Sequence, residues 1–420
     1  MRVADCFLAI LLLACPLTVA QDRPTLHKEP SQDNPPTLGK DEGPSLGGPR
    51  TSTTTDARRL LSVKTIFVVQ RPTETEPGIA DFRFNPVFSV FDYGTLQPLV
   101  PLDNSTIALM AAFNFERLRE AGIGSHYLSM VNEGEPLSAA EAIRRGIAPD
   151  TLRVRLVNRL QPAHTRVPPE GGCGWDYSIF HAPPSNHFVV PIEFISRVKI
   201  GGNSSVWKRV ERGEVTLADL GLPPEIRSGD PLPHHVLDYS TKYEPEDRYV
   251  SAEGARQLTG FSQERWARIN QTTAEVSRQM TEFARSRGVE REDGKVEYVT
   301  LDHRREQDVL GDAVTTLHED RLILDGTDIT KQAIRSAVRR FSPDWAAEID
   351  RAKTEARRRG VADFRTLMDP GVRYVSPPGE FFERYNALAR AFVNHWVGAA
   401  VYPEDRDLSR RLREFREVSG

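Results

Sequence analysis

Two periodicities divide this chain. Apolar residues recur at every second position in short runs early in the sequence and at every third or fourth position in longer runs late in it. Side chains that alternate across a strand give the first pattern, and one stripe of a helix gives the second. Strands are expected where Leu60, Val63, Ile66, Val68 and Val69 cluster, at Phe82–Phe84 and Val87–Phe91, at 152–157 and 188–200, and at 295–300 and 308–314. A helix capped by Asn104 or Ser105 is expected to carry Ile107, Met110, Ala111, Phe115 and Leu118 and to close at Gly122. A longer one starts at Ser262, with Trp266, Ile269, Thr273, Val276, Met280 and Phe283 on one stripe and Gly288 past its end. Further on, Asp328 is expected to cap a segment holding Ile334, Val338 and Phe341. Ser342-Pro343 reads as the start of another helix, and a last one carries Phe382, Tyr385, Leu388, Phe392 and Trp396. Strands gathered ahead of helices make an α+β chain whose two lobes can enclose a cleft.

Length sets the scale: 420 residues suffice for two lobes and tails. Residues 1–20 hold one Arg, an apolar run from Phe7 to Leu13 and small residues up to Ala20. They resemble a secretory signal peptide, too short to span a bilayer as a helix. Leu12-Leu13-Ala14-Cys15 also reads as lipobox-like, and a start codon placed downstream would remove the segment altogether. Residues 21–57 are Pro, Gly, Ser, Thr and charge, a composition that buries too little to offset its ordering entropy and is expected to be a disordered linker. The remainder is expected to form a β-rich N-terminal lobe at 58–195, with an irregular Pro/Gly/His insertion at 161–187, then a second lobe at 196–345 and a helical extension at 346–420. Outside residues 1–20 the only cysteine is Cys173, so packing rather than an internal disulfide holds the core. A net charge of -4 argues against nucleic acid or an anionic membrane as the partner.

Chemistry concentrates in Asp293-Gly294-Lys295-Val296-Glu297 and the following Leu310-Gly311-Asp312. On a strand, Asp293, Lys295 and Glu297 share a face. Burying three ionic groups there is costly unless a ligand satisfies them, and a magnesium-bound polyphosphate would: carboxylates take the metal, the ammonium takes phosphate oxygens. The same spacing also fits a solvated edge strand. Lys64, at the start of the first strand, is placed to lean over nucleotide phosphates or to be an ordinary edge lysine. Arg197 ends an apolar strand just before the Gly/Ser loop that holds Ser204, an arrangement suited to a phosphate monoester or to a strand-end salt bridge. The chain has no G-x-G-x-x-G, no G-x-x-x-x-G-K-[ST] and no G-x-S-x-G. Its histidines show no metal-ligand spacing.

Seven segments, taken in order, resemble the longer form of the phosphoribosylaminoimidazole-succinocarboxamide synthase (SAICAR synthetase) family. They are Ser62-Val63-Lys64-Thr65, Phe88–Asp92, Ala121-Gly122-Ile123 with His126-Tyr127, Val190–Arg197, Ser240–Arg248, Asp293–Glu297, and Leu310-Gly311-Asp312 through Arg321. The resemblance implies a two-lobed fold similar to protein kinases and ATP-grasp enzymes, with ATP in the cleft. It implies a ligase that joins L-aspartate to carboxyaminoimidazole ribotide using ATP and Mg2+, and a cytoplasmic location that competes with the signal-like residues 1–20. By position, Lys64 would hold ATP phosphates, Lys295 and Glu297 would contact nucleotide and metal, and Asp312 would bind magnesium. Arg197, Ser204 and Arg321 would hold the ribotide phosphate, Asp293 would face the imidazole, and Lys242 is a further substrate-site residue. The chain departs from the pattern at Leu61, where a glycine is usual, at Leu102-Asp103-Asn104 in place of Gly-Lys-Gly, and at Leu317-His318 in place of Pro-Asp. An acid at Asp103 is expected to alter the charge a ligand meets. Two alternatives follow: a divergent ligase making a related amide, and an exported nucleotide-binding protein without ligase activity.

Overall fold

The computed structural model describes residues 63–419 apart from 88, 96–101, 165–173, 203, 245 and 313. The signal-like segment, the expected linker, Leu61 and Cys173 lie outside the described residues, as does much of the 161–187 insertion.

The early period-2 runs form an antiparallel sheet. β1 (Lys64–Gln70) pairs with β2 (Gly78–Phe84), whose Ala80, Phe82 and Phe84 point inward. A short hairpin follows, β3 (Ser89–Val90) and β4 (Gly94–Thr95), and then α1 (Ser105–Glu120). Next come β5 (Tyr127–Asn132), β6 (Glu135–Leu137), α2 (Ala139–Arg145) and β7 (Thr151–Leu156), giving the order β1-β2-β7-β5-β6. Asn104 precedes α1 but does not cap it. Its amide donates instead to the carbonyls of Asn85 and, at 3.1 Å, Val87, tying the helix start to the sheet.

Past a two-strand hairpin, β8 (Ala163–His164) and β9 (Trp175–Asp176), the chain builds a second antiparallel sheet. Its strands and helices are β10 (Phe188–Lys199), α3 (Ser205–Glu211), β11 (Pro231–Thr241), β12 (Tyr249–Val250), α4 (Ala252–Thr259), α5 (Gln263–Ser286), β13 (Val289–Asp302), β14 (Gln307–Gly311), β15 (Asp320–Leu324) and β16 (Thr327–Asp328). The order is β12-β11-β10-β13-β15-β16, with β14 also on β13. The boundary expected at residue 195 falls inside β10, which pairs with both β11 and β13. Ser262 caps α5 by accepting from the Arg265 amide at 3.1 Å, and the expected stripe from Trp266 to Phe283 is buried. A parallel bridge between Ser125 and Leu310 joins the two sheets.

The last third is helical: α6 (Lys331–Phe341), α7 (Pro343–Arg359), α8 (Gly379–Val397) and α9 (Leu408–Ser419). Thr330, not Asp328, caps α6, and Asp328 supports the cap by accepting from the Thr330 amide at 2.8 Å. Ser342 precedes Pro343 as expected, yet its hydroxyl accepts from the Val375 amide rather than from the helix. Asp103 does not face a ligand cleft. Its amide donates to Asn386 of α8 at 3.0 Å and its carboxylate pairs with Arg390 at 3.3 Å, so the charge expected to confront a ligand is spent on docking α8. Among the described residues, no helix is long and apolar enough to cross a membrane.

Asn114 locks these parts together: its amide donates to the carbonyls of Val314 at 3.0 Å and Thr315 at 2.6 Å, and its oxygen accepts from the Trp396 indole at 3.0 Å. Asn114→Leu leaves three buried polar groups without partners and is expected to destabilise the fold by about 2–4 kcal/mol, read as a lowered urea midpoint.

Candidate active site

β13 is central, flanked by β10 on one side and by β14 and β15 on the other, so the solvated-edge alternative for Asp293, Lys295 and Glu297 is ruled out. The three side chains share the face away from α5. Lys295 lies 2.8 Å from Glu193 of β10, and 3.4 Å from both Glu297 and Glu319. Glu297 also pairs with Lys242, just past the end of β11, and both side chains are almost wholly buried (2% and 0% exposed). Asp312 follows β14 by one residue, where Gly311 opposes Glu297, and its carboxylate meets the Lys64 ammonium from the first sheet. Lys64 is therefore no ordinary edge lysine: it sits on an edge strand but is 5% exposed.

The loop after β14 is held in an unusual backbone. Asp312 and Thr315 have φ of 53° and 49°, a left-handed region that costs a non-glycine residue about 1–3 kcal/mol. His126 offsets part of this by bonding the Asp312 carbonyl at 3.1 Å through Nε2. Burial drives the His126 pKa down to about 3, so the ring is neutral and Nε2 is the donor in this bond.

Four strand positions away from Glu297, a second cluster forms. Arg197 lies 3.0 Å from Asp238 and from Asp293, and donates to the Ser204 hydroxyl at 3.3 Å. Arg209 of α3 also pairs with Asp238 and stacks over Tyr249 at 3.8 Å. Arg321 approaches Glu292 at 3.6 Å and Asp293 at 3.7 Å, while its buried Nε has no hydrogen-bond partner among the described residues. Lys64, Lys242, Lys295, Glu297 and Asp312 thus fall into the first cluster and Arg197, Ser204, Asp293 and Arg321 into the second.

Sequence reasoning missed Glu193, Glu319, Asp238, Arg209, Asp247 and Lys331. Glu193 carried a usable signal, a lone acid inside the apolar run Pro191–Ile195. Glu319 and Asp247 sit in loops and Lys331 at a helix start, where no periodicity marks a side chain as inward; Asp238 and Arg209 lie on β11 and α3, neither of which the apolar spacing revealed. An open cleft of about 1110 Å³ meets the second cluster through Asp238 and Arg209, and its lining also includes Asp247, Tyr249, Arg335 and Lys353.

Electrostatics follow from burial and mutual proximity. Burial resists ionisation of Glu319, but Lys295, Lys331 and Lys64 outweigh it and hold the carboxyl down at about 2. Burial likewise opposes the charge on Glu297, and Lys242 and Lys295 keep it below the usual carboxylate range. At Lys64 two influences compete: burial pushes the ammonium down to about 7, whereas Glu319 and Glu297, and the Asp312 carboxylate in contact, favour its charge. Asp247 is driven well above its ordinary value by burial and by the Glu193 and Asp92 charges. His318 is kept neutral by burial and by Lys331, at about 3. Among the described residues no three acidic, cysteine or histidine groups converge as a ready-made metal cage. Glu297 Oε1, Asp312 Oδ2 and Glu319 Oε2 nevertheless accept no hydrogen bond there. One or two carboxylates with open valence suit magnesium, which completes its octahedron from water and phosphate oxygens.

A carboxyl depressed from 4.5 to about 2 contributes stability that is full above pH 4.5 and is lost as pH falls toward 2. Chemical denaturation between these limits is expected to show a stability loss with falling pH that is shallower in Glu319→Gln than in the wild type.

Comparison with known proteins now adds to this geometry. A family model described as SAICAR synthetase matches residues 88–352. A protein of Archaeoglobus fulgidus named putative phosphoribosylaminoimidazole-succinocarboxamide synthase is 32% identical over 358 residues, 85% of this chain and 99% of that protein. The synthase of Thermoplasma acidophilum is 28% identical over 244 residues, covering 57% of this chain and 68% of its own. Among solved structures, the SAICAR synthase of Saccharomyces cerevisiae complexed with SAICAR is 16% identical, covers 83% of this chain and 98% of its own, and has a TM-score of 0.49. With the family model spanning more than half of the sequence and a relative aligned over nearly its whole length, the chain belongs to the SAICAR synthetase family.

Proposed function

We propose that this chain joins L-aspartate to carboxyaminoimidazole ribotide, consuming ATP and releasing the succinocarboxamide product, ADP and phosphate. The observation that carries the reading is the buried interleaving of Lys64, Lys242 and Lys295 with Glu193, Glu297, Glu319 and Asp312. So many ions taken from water are expensive to hold, and perturbed, converging groups of this kind mark a site that handles charged ligands.

In this reading Lys64 and Lys295 take the nucleotide phosphates, and Arg197, Ser204 and Arg321 take the phosphate of the ribotide. Asp293, between the two arginines, faces the imidazole, and Lys242 orients Glu297. Glu297 and Asp312 are suited to a magnesium ion, whose chemistry there is neutralisation of polyphosphate charge. The imidazole carboxylate oxygen attacks the terminal phosphorus, forming an acyl phosphate as the bond to ADP breaks. The aspartate amine then attacks the acyl carbon, loses a proton and expels phosphate. No enzyme nucleophile is required, so the side chains act by positioning and by charge compensation.

The family's role in purine synthesis fits a cytoplasmic enzyme, and we read the chain as two lobes with a helical extension. The alternative of a divergent ligase lost part of its motive when Asp103 was found on Arg390 rather than in the cleft. An exported binding protein rests on residues 1–20 alone.

Incubation of the full chain with ATP, Mg2+, carboxyaminoimidazole ribotide and aspartate is expected to release ADP only when aspartate is present. Lys295→Met and Asp312→Asn should each lower kcat/KM by about 100-fold or more, and EDTA should abolish release until magnesium is restored. ADP release that ignores aspartate, or that survives both substitutions, rejects the proposal.

A further inference from the structure

The anion-binding arginines belong to a row that runs straight across three strands. Arg197 of β10 opposes Asp293 of β13, and Asp293 opposes Arg321 of β15. One step along the same strands lies a second row, Ser196, Gly294 and Asp320. Because side chains alternate, this row faces the other way, toward α5.

A single guanidinium ties the second row together. Arg291 donates through Nε to Asp320 at 2.5 Å and through one terminal nitrogen to the Ser196 hydroxyl at 3.3 Å. Its other terminal nitrogen reaches Ser277 at 3.0 Å and Thr281 at 3.2 Å, both on α5. By simple alternation Arg291 would share a face with Asp293. A β-bulge prevents this: Arg291 opposes Leu322 while Asp293 opposes Arg321, so β13 advances two residues as β15 advances one. Gly294 leaves the room that the clamp needs, since a Cβ there would overlap the guanidinium and lie 2.6 Å from the Asp320 carboxyl.

Both side chains of the Arg291–Asp320 pair are 1% exposed and face α5 rather than the row of Arg197, Asp293 and Arg321. A buried ion pair of this kind is poor value as a source of stability compared with apolar packing, and its best-attested use is to fix register. We infer that Arg291 and Asp320 are positioning residues which, through the bulge and Gly294, set the spacing of Arg197, Asp293 and Arg321 and so the hold on the phosphate-bearing substrate. The inference rests on the function proposed above. Lys295 has its own anchors in Glu193, Glu297 and Glu319, so the nucleotide end is expected to be insensitive to the clamp.

The test compares the full-length wild type with Gly294→Ala, Arg291→Lys and the double variant Arg291→Met/Asp320→Leu, which removes both charges together so that neither is left unpaired. Steady-state kinetics are read for each substrate, alongside melting temperature and the calorimetric affinity for ribose 5-phosphate. KM for the ribotide and Kd for ribose 5-phosphate should rise about tenfold in Gly294→Ala and in the double variant, with KM for ATP within about twofold of wild type. Arg291→Lys, which keeps the charge but not the fork, should fall between. An unchanged ribotide KM and ribose 5-phosphate Kd in the folded variants, or equal rises in both KM values, would overturn the inference. Should Gly294→Ala and the double variant fail to fold, Arg291→Lys decides on the same criteria. A wild type without aspartate-dependent ADP release but with clamp-dependent ribose 5-phosphate binding would sink the ligase reading while leaving the clamp standing.

Discussion

Lys295 within 3.4 Å of three carboxylates is the contact around which the molecule is arranged. A lone ammonium or carboxylate at that depth would cost several kcal/mol in lost hydration, so the group is tolerable only as a network in which each charge meets its opposite. That demand fixes the topology locally. Glu193 must come from β10 and Glu297 from β13, Lys242 must arrive past β11, and Lys64 must be delivered from the other sheet onto Asp312. A sheet with any other neighbour beside β13 would strand one of these ions. The same arrangement leaves Asp312 Oδ2 without a hydrogen-bond donor among the described residues, which is where a cation bound to an anionic ligand gains most.

Regular strands alone cannot build such a site, because strict alternation would send Arg291, Asp293, Lys295 and Glu297 to one face. The bulge before Asp293 separates them: Arg291 turns to α5 and the other three stay on the opposite face. At the far end of the site, the left-handed Asp312 does comparable work, ending β14 so that its carboxylate can reach Lys64. His126 sits at the junction of the sheets, where its backbone bonds Leu310 and Arg155 and its ring holds the Asp312 carbonyl. Joining the sheets and shaping the loop are thus tasks of one residue.

Most of the fold was legible in periodicity: α1, α5, α8, β2, β7, β10 and the functional part of β13 stand where the apolar spacing puts them. What escaped includes β5, β6, α2, α3, α4 and β15, together with β11, whose first residues Pro-Leu-Pro-His-His carry no alternation, and α9, whose apolar positions are sparse among charges. For the site, spacing alone left Asp293, Lys295 and Glu297 balanced between a solvated edge and a ligand face. Burial decides this, and burial is set by strand order, a non-local property that no window of sequence contains. Asp328 and Asn104 show the local limit of the method. Both residue types cap helices, yet neither does so here: Asp328 accepts from the amide of Thr330, which is itself the cap of α6, and the Asn104 amide donates to the carbonyls of Asn85 and Val87.

Asp103 shows how a departure from a family pattern can be misjudged when its surroundings are unknown. An acid in place of a loop lysine looks like a reversal of charge at the substrate. Here its carboxylate accepts from Ser105 at 2.5 Å and pairs with Arg390, which also bonds the fully buried Asp405 at 2.5 Å. Asp405 in turn meets Arg411 of α9 at 2.6 Å. The acid is therefore the first link of a chain of alternating charges that fastens α8 and α9 to the start of α1. Its neutralisation by Arg390 means that a ligand in the cleft meets no added negative charge from this position. Asp103 and the C-terminal helices thus belong to one charge network, which shares no residue with the buried lysines and carboxylates of the site.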